Sequence, residues 1–167
     1  MKLIGNLLSF VLLVLIQVLV LSHIHLFGYA TPLLFVYFIL RLRRDEPKWS
    51  SLIWSFMLGL CVDIFNNTHG LCAASATFMG MLQPYVLSLF TNRETPLDFL
   101  PAVKTLGWGK YTIYTTLLLL PFMLIIFTLE AFNFFHPLTW LLSIVSSFIL
   151  TLILILAIEN LRTPRHS

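Results

Sequence analysis

Long apolar runs separated by short polar turns organise this chain. Six runs follow one another, at about 4–21, 26–42, 49–65, 71–90, 111–129 and 138–158. Polar interruptions are few: Asn6, Ser9 and Gln17 in the first run, Gln83 and Pro84 in the second half of the fourth. Pro32 stands near the start of the second run, where a helix's first turn tolerates proline, and Pro121 near the middle of the fifth. Crossing the hydrocarbon core takes roughly 20 residues of helix. The pattern predicts an all-α, polytopic membrane protein, a single integral domain over residues 1–167. The second run is short for a span, roughly 25 Å as helix.

Composition agrees with the pattern. The chain is 59% apolar and only 10% charged, with a mean hydropathy of +0.93. Soluble domains carry about a quarter charged residues, so this chain lacks the polar surface to cover itself in water. Charge then orients the spans. Lysine and arginine favour the cytoplasmic side in short loops. Six spans with the N-terminus inside place Lys2 on that side, and with it Arg41, Arg43, Arg44 and Lys48. Arg93, Lys104 and Lys110 follow, then Arg162 and Arg165. That accounts for all ten basic residues. The expectation is six transmembrane helices with both termini cytoplasmic. Lys2 and the stretch Gly28-Tyr29-Ala30 resemble parts of a signal peptide, but the apolar segment is too long and the cleavage site too distant. The first run is expected to remain as an anchor.

Outside the spans the longest connection is "TNRETPLDFLPAVKTLGWGK", residues 91–110. Its mixed apolar and charged residues predict a segment lying in the interface with Trp108 at headgroup depth, or a docking surface for a cytoplasmic partner. The "RLRRDEPKW" loop is a candidate contact for anionic lipid or a protein. The net charge of +3 is spread along one membrane face, so no nucleic-acid patch emerges.

Candidate chemistry narrows to one carboxylate. An ionisable side chain within a span is costly and therefore a functional candidate. Asp63 is the acid so placed, while Glu130 and Glu159 fall at helix ends with water in reach. Gly59, one turn earlier, shares its face and lets another helix approach. In one account Asp63 accepts the free N–H groups at the start of the fourth helix, with Asn66, Asn67 and Thr68 as further caps and Gly70 supplying an unusual backbone angle. In the other it contacts a partner or ligand at the outer face. Ala73, Ala76 and Gly80 form a small-residue face for helix packing, within the bundle or against another membrane protein.

Other chemistry finds little footing. His23, His25, His69 and His136 fall on the outer side without a recognised ligand spacing, and Cys61 and Cys72 form no metal motif. No metal or cofactor is expected. The hydroxyls of Ser50, Ser51, Ser55, Thr115 and Thr116 are expected to bond within or between helices. No nucleophile elbow, HExxH motif or phosphate loop occurs, and no second intramembrane acid pairs with Asp63. The reading is a non-enzymatic protein.

The stretch "GLCVDIFNNTHGLCAAS" resembles a known signature. Gly59-Leu60, Asp63, Gly70-Leu71 and Ala73 look like the central motif of MreD, the rod-shape-determining membrane protein family. Chain length and the six-span pattern fit that family across nearly the whole chain. The resemblance implies a component of the bacterial cell-elongation machinery in the inner membrane. Its implied partners are MreC, the actin-like MreB, the RodA glycosyltransferase and a class B penicillin-binding protein, besides membrane lipid. By the same resemblance Gly59, Asp63 and Gly70 match recurring positions with no catalytic role. MreD is similar in fold to the substrate-binding subunits of energy-coupling-factor vitamin transporters, which makes such a subunit the rival reading. Those subunits usually carry an alanine-xxx-alanine dock in the first helix, and the first run here has no alanine.

Overall fold

The apolar runs become helices because a backbone away from water must satisfy its own N–H and C=O groups. The computed structural model describes residues 2–20, 23, 32–131 and 136–162. Its elements are α1 (Lys2–Leu19), α2 (Val36–Leu40), α3 (Lys48–Asn66), α4 (Leu71–Phe90), α5 (Val103–Leu106), α6 (Trp108–Glu130) and α7 (Pro137–Arg162). Among the described residues there is no strand. Three helices, α3, α6 and α7, are long and apolar enough to cross a membrane. The fold is therefore all-helical and that of a membrane protein.

The second run departs from expectation. Residues 26–31 lie outside the described residues, and the rest does not form one long helix. Residues 32–35 are irregular and α2 has only five residues. Among the described residues this segment is nonetheless deeply enclosed. Phe35, Val36, Ile39 and Leu40 have no exposed surface. Irregular backbone at such depth is tolerated only where protein surrounds it and supplies hydrogen-bond partners.

Those partners come from four helices. Gln17 of α1 donates to the Pro32 carbonyl at 2.9 Å and accepts the N–H of Leu34 at 2.8 Å and of Phe35 at 3.3 Å. Thr151 of α7 accepts the Leu33 N–H at 3.2 Å. At the other end, Tyr114 of α6 donates to the Leu40 carbonyl at 3.0 Å. Gln83 of α4 donates to the Leu42 carbonyl at 3.0 Å and to the Tyr114 hydroxyl at 3.1 Å. The polar residues that interrupt the apolar runs are thus the braces of a broken helix.

Rings and small residues complete the core. Phe10, Phe38 and Trp54 bring α1, α2 and α3 together, with centroids 5.7–5.8 Å apart. Among the described residues α3 and α4 form the most extensive pairing, and α4 also packs against α6. Pro84 lacks the N–H that would bond the Gly80 carbonyl one turn back. Ser51 of α3 donates its hydroxyl to that carbonyl instead, at 3.1 Å. Ser55 donates to the Ser51 carbonyl within its own helix, at 2.7 Å. On the outside, α1, α3, α6 and α7 each expose large apolar side chains, among them Leu8, Phe56, Leu120 and Val145. Such continuous apolar surface requires a non-aqueous surrounding.

Residues 91–107 are tied to the bundle by Arg44. Arg44 donates from Nη1 to the carbonyls of Asn92 and Thr95, both at 3.0 Å, and its N–H reaches Phe99 O at 3.1 Å. Ala102 and Val103 are buried, while Leu97 and Trp108 stay exposed. Arginine and loop fold into one cap on this end of the bundle.

Candidate functional site

The α3–α4 turn is assembled by one side chain. Asp63 lies three residues before the end of α3 and is only 2% exposed. Its backbone carbonyl accepts the N–H groups of Asn67 and Thr68, which closes α3. Its carboxylate closes the other helix: Oδ1 accepts the Cys72 N–H at 3.0 Å and Oδ2 the Ala73 N–H at 2.8 Å. The Thr68 hydroxyl donates to Oδ1 as well. Both oxygens are engaged at the positive end of α4, where a carboxylate is favoured by free N–H groups and by the helix dipole.

The two glycines make that reach possible. A Cβ on Gly59 would stand 2.5 Å from both the Ala73 Cα and the Cys72 carbonyl oxygen. Glycine therefore lets the start of α4 sit against α3 within range of Asp63. Gly70 is the residue before α4 and has φ +80°, a left-handed conformation that costs glycine little. Asn67 also has positive φ, at +55°, a conformation asparagine tolerates better than most residues. Gly59, Asp63 and Gly70 thus act as one device: approach, cap and turn.

One sequence expectation changes here, and another is narrowed to one of its two alternatives. The side chains of Asn66 and Asn67 do not cap α4, and Thr68 orients the aspartate rather than the helix. Ala73, Ala76 and Gly80 are buried, with Ala73 against Gly59 and Gly80 against Ser51 and Ser55. That small-residue face is therefore spent on α3 within the chain. What the turn leaves exposed are Ile64, Phe65, Asn67 and His69. They form a mixed apolar and polar edge held at a fixed angle by the aspartate.

A second carboxylate is buried where water was expected. Glu159 is 3% exposed. Its Oε2 accepts the Tyr37 hydroxyl at 2.5 Å and its Oε1 the Val103 N–H at 3.3 Å, tying α7 to α2 and to α5. The signal lay in α7 itself: Ser147, Thr151, Ile155 and Glu159 recur every four residues and share one buried face. Glu130, by contrast, is exposed. Among the described residues no three of His, Cys, Asp and Glu gather into a metal-holding group, and His25 lies outside them.

Comparison with protein-family models, with curated proteins and with solved structures finds no significant match.

Proposed function

We propose that the chain is a non-enzymatic membrane component of a bacterial cell-elongation complex, of the MreD kind. It would help maintain cell shape by linking MreC, RodA and a class B penicillin-binding protein to MreB in the inner membrane. One observation supports this above others. The residues that carry the resemblance, Gly59, Asp63 and Gly70, are the ones that build a single rigid turn. A turn fixed by a capped helix presents an edge for partners, and both oxygens of its carboxylate are already engaged.

The topology belongs to the same proposal. Six crossings, the second over the run at 26–42, would bring both termini to the cytoplasmic face. All the basic residues then fall on that side, as short loops prefer. The vitamin-transporter alternative draws less support. It would use Asp63 as a polar group of an outward pocket, yet both oxygens of that carboxylate already serve α4 and Thr68.

Removal of the protein from its own host tests the proposal. Rod shape should be lost on depletion and restored by the wild-type chain. Asp63→Ala, present in the membrane at equal abundance, should restore it less well. Normal shape throughout depletion would overturn the reading.

A further inference from the structure

A cavity of about 490 Å³ lies between α1, the 34–43 segment and the last turns of α7. Ligand sites typically occupy about 300–1,000 Å³. Polarity is graded along this one. From α1, Gly5, Asn6 and Ser9 line it near the start of the helix, and Leu12, Leu13 and Ile16 farther on. That stretch of α1 measures roughly 16 Å. The other two walls run the opposite way along the chain and end alike. Leu34 and Phe38 precede Arg41 and Arg43, and Ile158 precedes Arg162. Three arginines therefore line one end, and leucine, isoleucine and phenylalanine line most of the rest.

No aspartate or glutamate lines the cavity. Of the carboxylates bonded to its walls, Glu46 accepts from Asn6 and Ser50, and Glu159 accepts from the Val103 N–H and from the Tyr37 hydroxyl, which Arg41 also reaches from Nη1 at 3.5 Å. Arg41 stands over the Tyr37 ring at 5.7 Å, and its buried Nε has no hydrogen-bond partner among the described residues. An inorganic anion would leave the apolar wall uncovered. A plain hydrocarbon would leave three cations facing it. A molecule with a phosphate at one end and an alkyl chain at the other matches both.

We infer that this cavity is a site for an anionic phospholipid. Its phosphate lies among Arg41, Arg43 and Arg162, and one acyl chain runs along Leu12, Ile16, Leu34 and Phe38. Clusters of arginine beside a membrane-embedded groove are a recurrent arrangement for acidic headgroups. The inference requires only that the chain lies in a membrane, and it stands apart from the elongation-complex reading.

The test is native mass spectrometry of the full chain released from nanodiscs holding equal amounts of phosphatidylglycerol and phosphatidylcholine. The wild type should retain phosphatidylglycerol about tenfold or more over phosphatidylcholine, as expected for a cluster of cations. The variant R41Q/R43Q/R162Q should lose that preference. Gly5→Phe gives an arm that keeps every charge. Gly5 lines the cavity and a Cβ there meets nothing within 4 Å, so the position has room for a larger side chain. It should lower the amount of bound lipid with the helical circular dichroism unchanged. Equal retention of the two lipids by the wild type overturns the inference, as does an undiminished phosphatidylglycerol preference in R41Q/R43Q/R162Q or an undiminished amount of bound lipid in Gly5→Phe. Complete displacement of the lipid by millimolar inorganic phosphate also overturns it, since the site would then recognise an anion alone.

Discussion

Two places in this molecule solve the same problem with different reach. At the α3–α4 turn, Asp63 satisfies N–H groups only nine and ten residues away. Around α2, the braces come from as far as Thr151, 118 residues from the N–H it accepts. In both, polar side chains stand in for the helical hydrogen bonds that a chain break removes. The local device needs one carboxylate and two glycines. The dispersed one needs Gln17, Gln83, Tyr114 and Thr151 to arrive from four different helices. A turn of the first kind forms with its own helical hairpin. The second is complete only when the whole bundle has closed.

That contrast predicts an order of damage. Gly59→Val should be the most severe change, because its Cβ meets backbone atoms that cannot rotate aside. Overpacking of this kind costs about 3 kcal/mol or more. Thermal unfolding in mild detergent should show the largest loss, together with faster hydrogen exchange at the start of α4.

Asp63→Ala comes next. It leaves the buried N–H groups of Cys72 and Ala73 without an acceptor, a loss of about 2–4 kcal/mol. Asp63→Asn keeps the shape and offers one acceptor oxygen, so it should fall about midway between alanine and wild type. Equal stability of Asp63→Ala and the wild type would remove the cap from the account.

Gln17→Leu sharpens the comparison from the other side. It strips the Pro32 carbonyl and the Leu34 and Phe35 N–H groups of their partner, for about 1–3 kcal/mol. Its exchange effect should spread to α4, α6 and α7, whereas that of Asp63→Ala stays near the turn. Ser51→Ala is the mildest, near 1 kcal/mol, because it uncovers only the Gly80 carbonyl left free by Pro84.

The two regions also differ in how far the chain disclosed them. Helices over the long apolar runs follow from periodicity and length, and the run at 71–90 has the bounds of α4. Asp63, Gly59 and Gly70 were visible as a group because they lie close together and an aspartate there is costly. What the carboxylate holds was open until its distances to Cys72 and Ala73 were known. The broken second run was not visible, since residues 33–40 read as an ordinary apolar stretch. Its break depends on Gln17 and Gln83, which look like mere interruptions until their partners are located. Glu159 was misjudged for a related reason: a helix end in sequence is not an exposed end when α5 folds over it.

The account rests most heavily on what the chain assembles with. Purification of the tagged full chain from its own membranes in gentle detergent, with co-purifying proteins quantified by mass spectrometry, addresses that directly. MreC, RodA or the class B penicillin-binding protein should be enriched with the wild type and diminished with Asp63→Ala. Recovery of a pair of transport ATPases with their coupling subunit, and none of the elongation proteins, would contradict the account.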